Sequence, residues 1–337
     1  MTICIRILVV LYGRAGSVMK CILLLLENSP VTSVTGPMEI FSLANSLVAR
    51  EQRMDMQLVS PSGAAVSCLG GLKLSVHDKL KPQQTPDLIV IGAIGHPELR
   101  PKDFDPEILG WLRQKHAQGS KIASICTGAF VLAASGLLDD LPATTHWQCA
   151  SLFQQRFPKV RLCSEAMITQ QNGLYCSAGA SAYQDMSIRL VRDIFGQDVA
   201  QQCAKALLFD ADRSGQSQYA SFQPHRQHTD ELIHSVQNWL DEHFMQDFSM
   251  VDLAEKVHLS DRQFKRRFKQ AAEESPLAYV QALRIESAKV LLVSSSKPMS
   301  EISRIAGYED MRFFRQLFKR LTSLSPSDYR QKFSLPG

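Results

Sequence analysis

Apolar positions along the chain change their rhythm near residue 210. Before it, short continuous apolar runs alternate with segments of helical period. Runs at 21–26, 56–60, 87–93 and 121–126 read as strands, and 37–50, 106–118, 128–135, 180–194 and 199–209 as helices, the first with Pro37 near its start. Gly70-Gly71 and Asn172-Gly173 mark hairpins over 66–77 and 166–177. Strands apolar throughout and separated by helices predict an α/β domain with a mostly parallel sheet. Residues 213–228 are polar with little periodicity and read as a linker. Everything after them is helical by pattern.

That last third repeats itself. Phe264, Lys265, Phe268, Lys269, Ser275, Pro276 and Tyr279 return as Phe314, Arg315, Phe318, Lys319, Ser325, Pro326 and Tyr329. Each copy follows a short apolar-periodic segment and a tight turn, the layout of a helix-turn-helix. In the first copy Leu253, Ala254 and Val257 face inward, and Ser260 caps a helix over 261–270. Phe264 and Phe268, four apart, point to the core, which leaves Arg262, Lys265, Arg266 and Lys269 outside. The second copy uses Ile302, Ile305 and Ala306, a turn at Gly307-Tyr308-Glu309 and a helix over 310–320. Its outward residues are Met311, Arg312, Arg315, Gln316 and Lys319. Between the copies, Ser275-Pro276 opens a helix of ~17 residues, ~25 Å long at the usual rise. Such a connector holds two reading helices roughly one DNA turn (~34 Å) apart.

Charge alone says little, since the net +4 is small and residues 229–337 carry 16 basic against 15 acidic side chains. Its distribution says more: the basic residues cluster at equivalent places in the two copies, as two phosphate-facing surfaces would. Eight scattered cysteines, with no C-x-x-C and no metal-spaced His/Cys cluster, suit a reducing cytosol and call for no metal or cofactor. No apolar run reaches the ~18–20 residues of a spanning helix, so no membrane partner is expected. Residues 3–12, apolar apart from Arg6 and followed by Ala15-Gly16-Ser17, faintly resemble a signal peptide. We read 1–18 as a dispensable extension and start the domain at Met19.

Residues 229–334 resemble the AraC-type tandem helix-turn-helix domain, most specifically around Gly307-Tyr308, Phe314, Phe318, Pro326 and Tyr329-Arg330. The resemblance implies base reading by Arg262, Lys265 and Arg266 in the first copy and by Met311, Arg312, Arg315 and Gln316 in the second. Three positions depart from it: Glu273 and Ser323 stand where many relatives have glycine after the recognition helix, and Ser303 where alanine is usual.

The other chemical signal is Ser124-Ile125-Cys126-Thr127-Gly128, where a buried strand meets a helix. A cysteine at such a corner is presented at the carboxyl edge of the sheet, and a helix N-terminus there would favour its thiolate. His146 follows in Ala143-Thr144-Thr145-His146-Trp147, and Glu39 lies in the first helix. Together with Gly36-Pro37-Met38-Glu39-Ile40-Phe41 and with Ser177-Ala178-Gly179 leading to Asp185, these segments resemble the PfpI/ThiJ superfamily. That resemblance implies a flavodoxin-like domain similar to class I glutamine amidotransferases. Its fusion to an AraC-type reader is the architecture of the GlxA-like regulators, which the chain resembles end to end. Protease-like members have His directly after the elbow cysteine, whereas here it is Thr127, so the adjacent general base is missing.

The expectation is a cytoplasmic regulator with no catalytic residues. An α/β domain at 19–212 would bind a small effector near Glu39, Cys126, Thr127, His146 and Asp185, and residues 229–337 would read promoter DNA. The resemblance adds activation, hence contact with RNA polymerase, and an amine, amino acid or other nitrogenous effector. A homodimer is expected because one protomer reads one half-site. Two rivals remain open: a thiol-dependent hydrolase or amidase, and a redox sensor at Cys126.

Overall fold

The computed structural model describes residues 18–96, 104–210 and 215–334, so the expected extension over 1–18 lies almost wholly outside them. The chain divides into two compact units, with the division between Gln216 and Ser217.

The first unit runs β1 (Met19–Leu24), α1 (Thr32–Ser46), β2 (Met54–Ser60), β3 (Val66–Ser67), β4 (Lys73–Leu74), β5 (Asp78–Lys79) and β6 (Leu88–Ile91). It continues through α2 (Pro106–Ala117), β7 (Lys121–Ser124), α3 (Ala129–Ala134), β8 (Pro142–Ala143), α4 (Ala150–Arg156) and β9 (Arg161–Leu162). It ends with β10 (Ile168–Gln171), β11 (Leu174–Ser177), α5 (Tyr183–Phe195) and α6 (Gln197–Ala206). One sheet of seven strands has the order β10-β11-β7-β6-β1-β2-β5. All its pairings are parallel except β10 with β11. The chain moves outward from β1 to β2, then returns to the other side of β1 at β6. This is a flavodoxin-like winding whose switch point lies between β1 and β6.

Alternation within the apolar strands feeds two cores. Cys21, Leu23, Leu88, Val90 and Ala123 pack with α1, α5 and α6, while Ile22, Leu24, Ile89, Ile91 and Ile122 pack with α2, α3 and α4. Burial on both faces is why these strands read as continuous apolar runs. The hairpin at Gly70-Gly71 forms between β3 and β4, and that at Asn172-Gly173 between β10 and β11. The first helix departs from expectation: it starts at Thr32, which places Pro37 inside it. The Ser33 and Thr35 hydroxyls donate to the Pro30 and Val31 carbonyls, turning the chain into its first helical turn before the proline.

The second unit is helical: α7 (Glu231–His243), α8 (Met250–Lys256), α9 (Asp261–Ala272), α10 (Pro276–Ser294), α11 (Met299–Ile305), α12 (Met311–Thr322) and α13 (Pro326–Phe333). Two cores share α10, which gives Tyr279 and Val280 to the first and Ile285, Ala288 and Leu292 to the second. The repeat is visible in three dimensions. Phe268 meets Tyr279 edge-on at 5.3 Å, and Phe318 meets Tyr329 edge-on at 5.4 Å. The division between the units falls within the polar stretch expected as a linker, and some of its described side chains find partners. Gln216 is buried in the first unit, while Phe222 packs in the second. No helix among the described residues is long and apolar enough to cross a membrane.

Candidate functional site

β7 ends at Ser124, and Cys126 follows in the left-handed region at φ 54. A non-glycine residue held there costs about 1–3 kcal/mol unless its surroundings impose it. Here the surroundings do. The Cys126 carbonyl accepts from Thr145 Oγ1 at 3.0 Å, and Thr127 Oγ1 accepts from the Ile94 N–H at 3.0 Å. A Cβ on Gly128 would lie 2.7 Å from the Gly92 carbonyl oxygen, so only glycine lets the corner press against the end of β6.

Cys126 itself is only 6% exposed. Burial pushes its thiol up to about 12, against the pull of the Thr127 amide and hydroxyl, and Cys149 pushes it further. The eased thiolate expected at this corner is therefore absent. A 3-10 turn over Cys126–Gly128 runs into the six-residue α3, but the pull of so short an N-terminus, felt through the Thr127 amide, does not offset desolvation. Among the described residues no cysteine forms a disulfide.

His146 stands next to Thr145 and is half-buried. Its Nδ1 accepts from the Gln148 N–H at 3.1 Å, which fixes the neutral imidazole with its proton on Nε2. Burial lowers its pKa, and His96 lowers it further. The ring lies against Gly179, where a Cβ would approach Cδ2 to 2.9 Å. Thr127, His146 and the Cys126 backbone thus share one corner at the carboxyl edge of the sheet, beside the switch point where small ligands bind in such folds.

The other two expected pocket residues are Glu39 and Asp185. Glu39 is exposed on α1, whose Ser33, Val34, Gly36 and Pro37 are buried. Ser33, unmarked in the sequence, is the α1 side chain that reaches the sheet edge: its Oγ accepts from the Ala93 N–H at 3.0 Å. Asp185 lines a cavity of 350 Å³ with Met167, Ile188, Arg189, Ala200 and Phe209, a lining without Cys126, Thr127 or His146. Gln216 was hidden in the polar stretch. Its amide donates to the Thr145 carbonyl at 2.8 Å and the Ser164 carbonyl at 2.7 Å, and accepts from the Trp147 N–H at 3.1 Å. The last residue of the first unit is thereby clamped to the loop that carries His146.

In the second unit the reading faces stand as the spacing predicts. Arg262, Lys265, Arg266 and Lys269 on α9 are exposed, as are Arg312, Arg315, Gln316 and Lys319 on α12, and both Phe pairs are fully buried. Met311 differs: it is half-buried against the second core, since the first residue of α12 lies under the preceding turn. Ser260 and Gln263 form a capping box at the start of α9, and Asp310 accepts from the Arg312 and Phe313 N–H groups at the start of α12. Glu273 and Ser323 occupy the left-handed C-cap, both at φ 63, where a glycine would be unstrained. The Ser303 hydroxyl has a use that an alanine would lack, donating to the Tyr308 carbonyl at 2.9 Å.

Comparison with known proteins agrees with both halves. The model of the DJ-1/PfpI family matches residues 22–193, just over half of the chain, and a helix-turn-helix domain model matches residues 253–332. The HTH-type transcriptional regulator GbdR of Pseudomonas aeruginosa is 24% identical over 310 residues, spanning 91% of this chain and 83% of that protein. The HTH-type transcriptional regulator GlxA of Rhizobium meliloti is 25% identical over 312 residues, spanning 92% and 94%. Among solved structures, an AraC family transcriptional regulator from Pseudomonas putida superimposes with a TM-score of 0.50 at 25% identity. It covers 56% of this chain and 99% of that one.

Proposed function

The chain belongs to the DJ-1/PfpI family and carries an AraC-type helix-turn-helix domain, a DNA-binding transcriptional regulator in outline, and from that premise we propose that it is a metabolite-responsive activator of promoters. The first unit would seat a small, nitrogenous effector at the corner formed by Thr127, His146 and Cys126, without turning it over. The second would place α9 and α12 in successive major grooves, as a cytoplasmic homodimer in contact with RNA polymerase. A ligand shifts such a balance only by its difference in affinity for the two states.

The observation that carries the DNA reading is the segregation on α9 and α12. Four polar or basic side chains on each helix are exposed, directly opposite a fully buried Phe pair. The effector reading is supported by the corner's two traits: it is preorganised, and its thiol is held protonated. Melting of the full-length protein against a panel of amines and amino acids tests it. A ligand at 100 times its Kd adds about 2.7 kcal/mol of apparent stability, and the same ligand must then alter promoter affinity. If every compound that raises the melting temperature leaves DNA binding untouched, the coupling is wrong.

One observation favours retained thiol chemistry, the left-handed backbone at Cys126, which is the conformation of a nucleophile elbow. With the thiol pushed up to about 12, alkylation at neutral pH is expected to label half-exposed Cys163 well before Cys126. Faster labelling of Cys126, traced by mass spectrometry, would revive the hydrolase or redox reading.

A further inference from the structure

One guanidinium sits at the seam of the two reading units. α10 serves the first core as far as Leu283 and the second from Ile285, and Arg284 falls at the changeover. Its Nε donates to the Phe244 carbonyl at 2.7 Å and one terminal nitrogen to the Gln246 carbonyl at 2.8 Å, both in the segment between α7 and α8. The other terminal nitrogen donates to the Gly307 carbonyl at 3.0 Å, in the turn that launches α12. The guanidinium carbon lies 5.6 Å from the Phe248 ring and 5.4 Å from the Tyr308 ring, one aromatic from each unit. Gly307 is fitted to this contact twice over. Its φ of 80 favours glycine, and a Cβ there would stand 2.8 Å from the Arg284 guanidinium carbon.

We propose that Arg284 is the positioning residue that sets the relation of α9 to α12, and with it the spacing between half-motifs that the protein accepts in DNA. A helical rod fixes the distance between two cores along its axis but leaves each core free to roll and tilt about its end of the rod. Three donors in one plane, pinned to carbonyls of both units, remove that freedom. Gly307 lies three residues before the Asp310 cap, so the angle at which α12 leaves its turn follows the guanidinium. Lysine cannot substitute, because a single ammonium has neither the plane nor the fork. Two stacked rings and three backbone carbonyls also leave the group no sequence-reading role of its own.

The inference rests on both helices reading DNA, and the experiment separates the two. The full-length chain first selects sites from a random-sequence duplex pool. Affinities are then measured for the selected site and for versions with one base pair inserted or removed between its half-motifs. Arg284→Met and Arg284→Lys are expected to lose about tenfold or more on the selected site, as for the loss of charge-assisted hydrogen bonds. The difference between correct and altered spacing should flatten at the same time, while the preferred bases within each half-motif stay the same. Gly307→Ala, which keeps the guanidinium but displaces its turn, should do likewise. Retention of the wild-type spacing penalty in these variants overturns the inference, whatever their affinity. Loss of the helical circular-dichroism signal in all three overturns it too, since the residue would then be structural only. A wild-type chain that selects no sequence overturns the DNA reading itself, and the inference with it.

Discussion

The two helix-turn-helix units share one skeleton and are held in different ways. Phe264 and Phe268 in the first, Phe314 and Phe318 in the second, fill equivalent buried positions, and each pair leans on a tyrosine from the next helix. The turns diverge. The first closes through His258, a non-glycine residue at φ 54, and reaches the Ser260 cap two positions on. The second closes through Gly307 at φ 80 and needs three positions to reach Asp310. Charge diverges further. On α9, Lys265 pairs with Asp261 at 2.8 Å and Arg267 with Asp230 at 2.5 Å, whereas among the described residues no ion pair engages Arg312, Arg315 or Lys319. Asp230 also caps α7, and although burial pushes its carboxyl up, Arg267 and the Ile233 N–H outweigh that and hold it below the usual range. The apolar skeleton is what the fold requires of each copy. Capping and charge are what each copy varies, and they leave the first reader tied to its own scaffold and the second open.

The largest test addresses the shared part. Phe264→Ala and Phe314→Ala should each cost about 3–5 kcal/mol in chemical denaturation, the range for a fully buried Phe. Because the two rings lie in separate cores, the double variant should lose the sum to within about 0.5 kcal/mol. A large departure from additivity would mean that α10 couples the cores energetically and that they are not independent copies. Next come the reading faces. Arg312→Ala should remove about 1–3 kcal/mol of discrimination at one base position while sparing contacts read by α9. Unchanged affinity and sequence preference in a competition assay would show that α12 is not a reader.

Legibility in the sequence divides along the same line. Periodicity marked the long apolar strands, the two hairpins and the reading helices, because burial on one or both faces writes directly into residue order; it did not mark the two-residue strands β5, β8 and β9 or the short helix α4. It failed where a local polar contact decides the outcome. The hydroxyls of Ser33 and Thr35 start α1 ahead of Pro37, and Glu39 lies exposed on that helix. The Gln216 amide turns a polar stretch into a buried clamp. At Cys126 the sign of the thiol's shift depended on how deep the corner lies, a quantity that no run of five letters contains. Asp185 sits in the expected helix and lines a cavity with α6 residues, and helical position does not say which neighbour closes over it.

A smaller test concerns the caps. Glu273→Gly and Ser323→Gly relieve the same left-handed strain, and each should stabilise the protein by about 1 kcal/mol in its melting curve. The gain at position 273 should be the smaller, because the Glu273 carboxylate lies 4.0 Å from His225 Nδ1 and that contact disappears. Destabilisation by either glycine would show that the side chain, and not the backbone, holds the end of the helix.

The smallest effect is the sharpest on the difference between the readers. Each phosphate that a lysine neutralises releases counterion, so removing one contact lowers the slope of log affinity against log salt by about 0.9. Lys319 is exposed on α12 and has no ion pair among the described residues, and Lys319→Ala should show that full change. Lys265 already shares its charge with Asp261, and both partners are largely exposed, so the pair itself is worth little to stability. Its effect on DNA is another matter, because Asp261 remains beside the phosphate and cancels part of the field. Lys265→Ala should therefore change the slope by less than Lys319→Ala does, and Asp261→Asn should steepen the slope and tighten binding at low salt. Equal slope changes for the two lysines, with no response to Asp261→Asn, would mean that the ion pair opens on DNA and that the two readers are electrostatically the same.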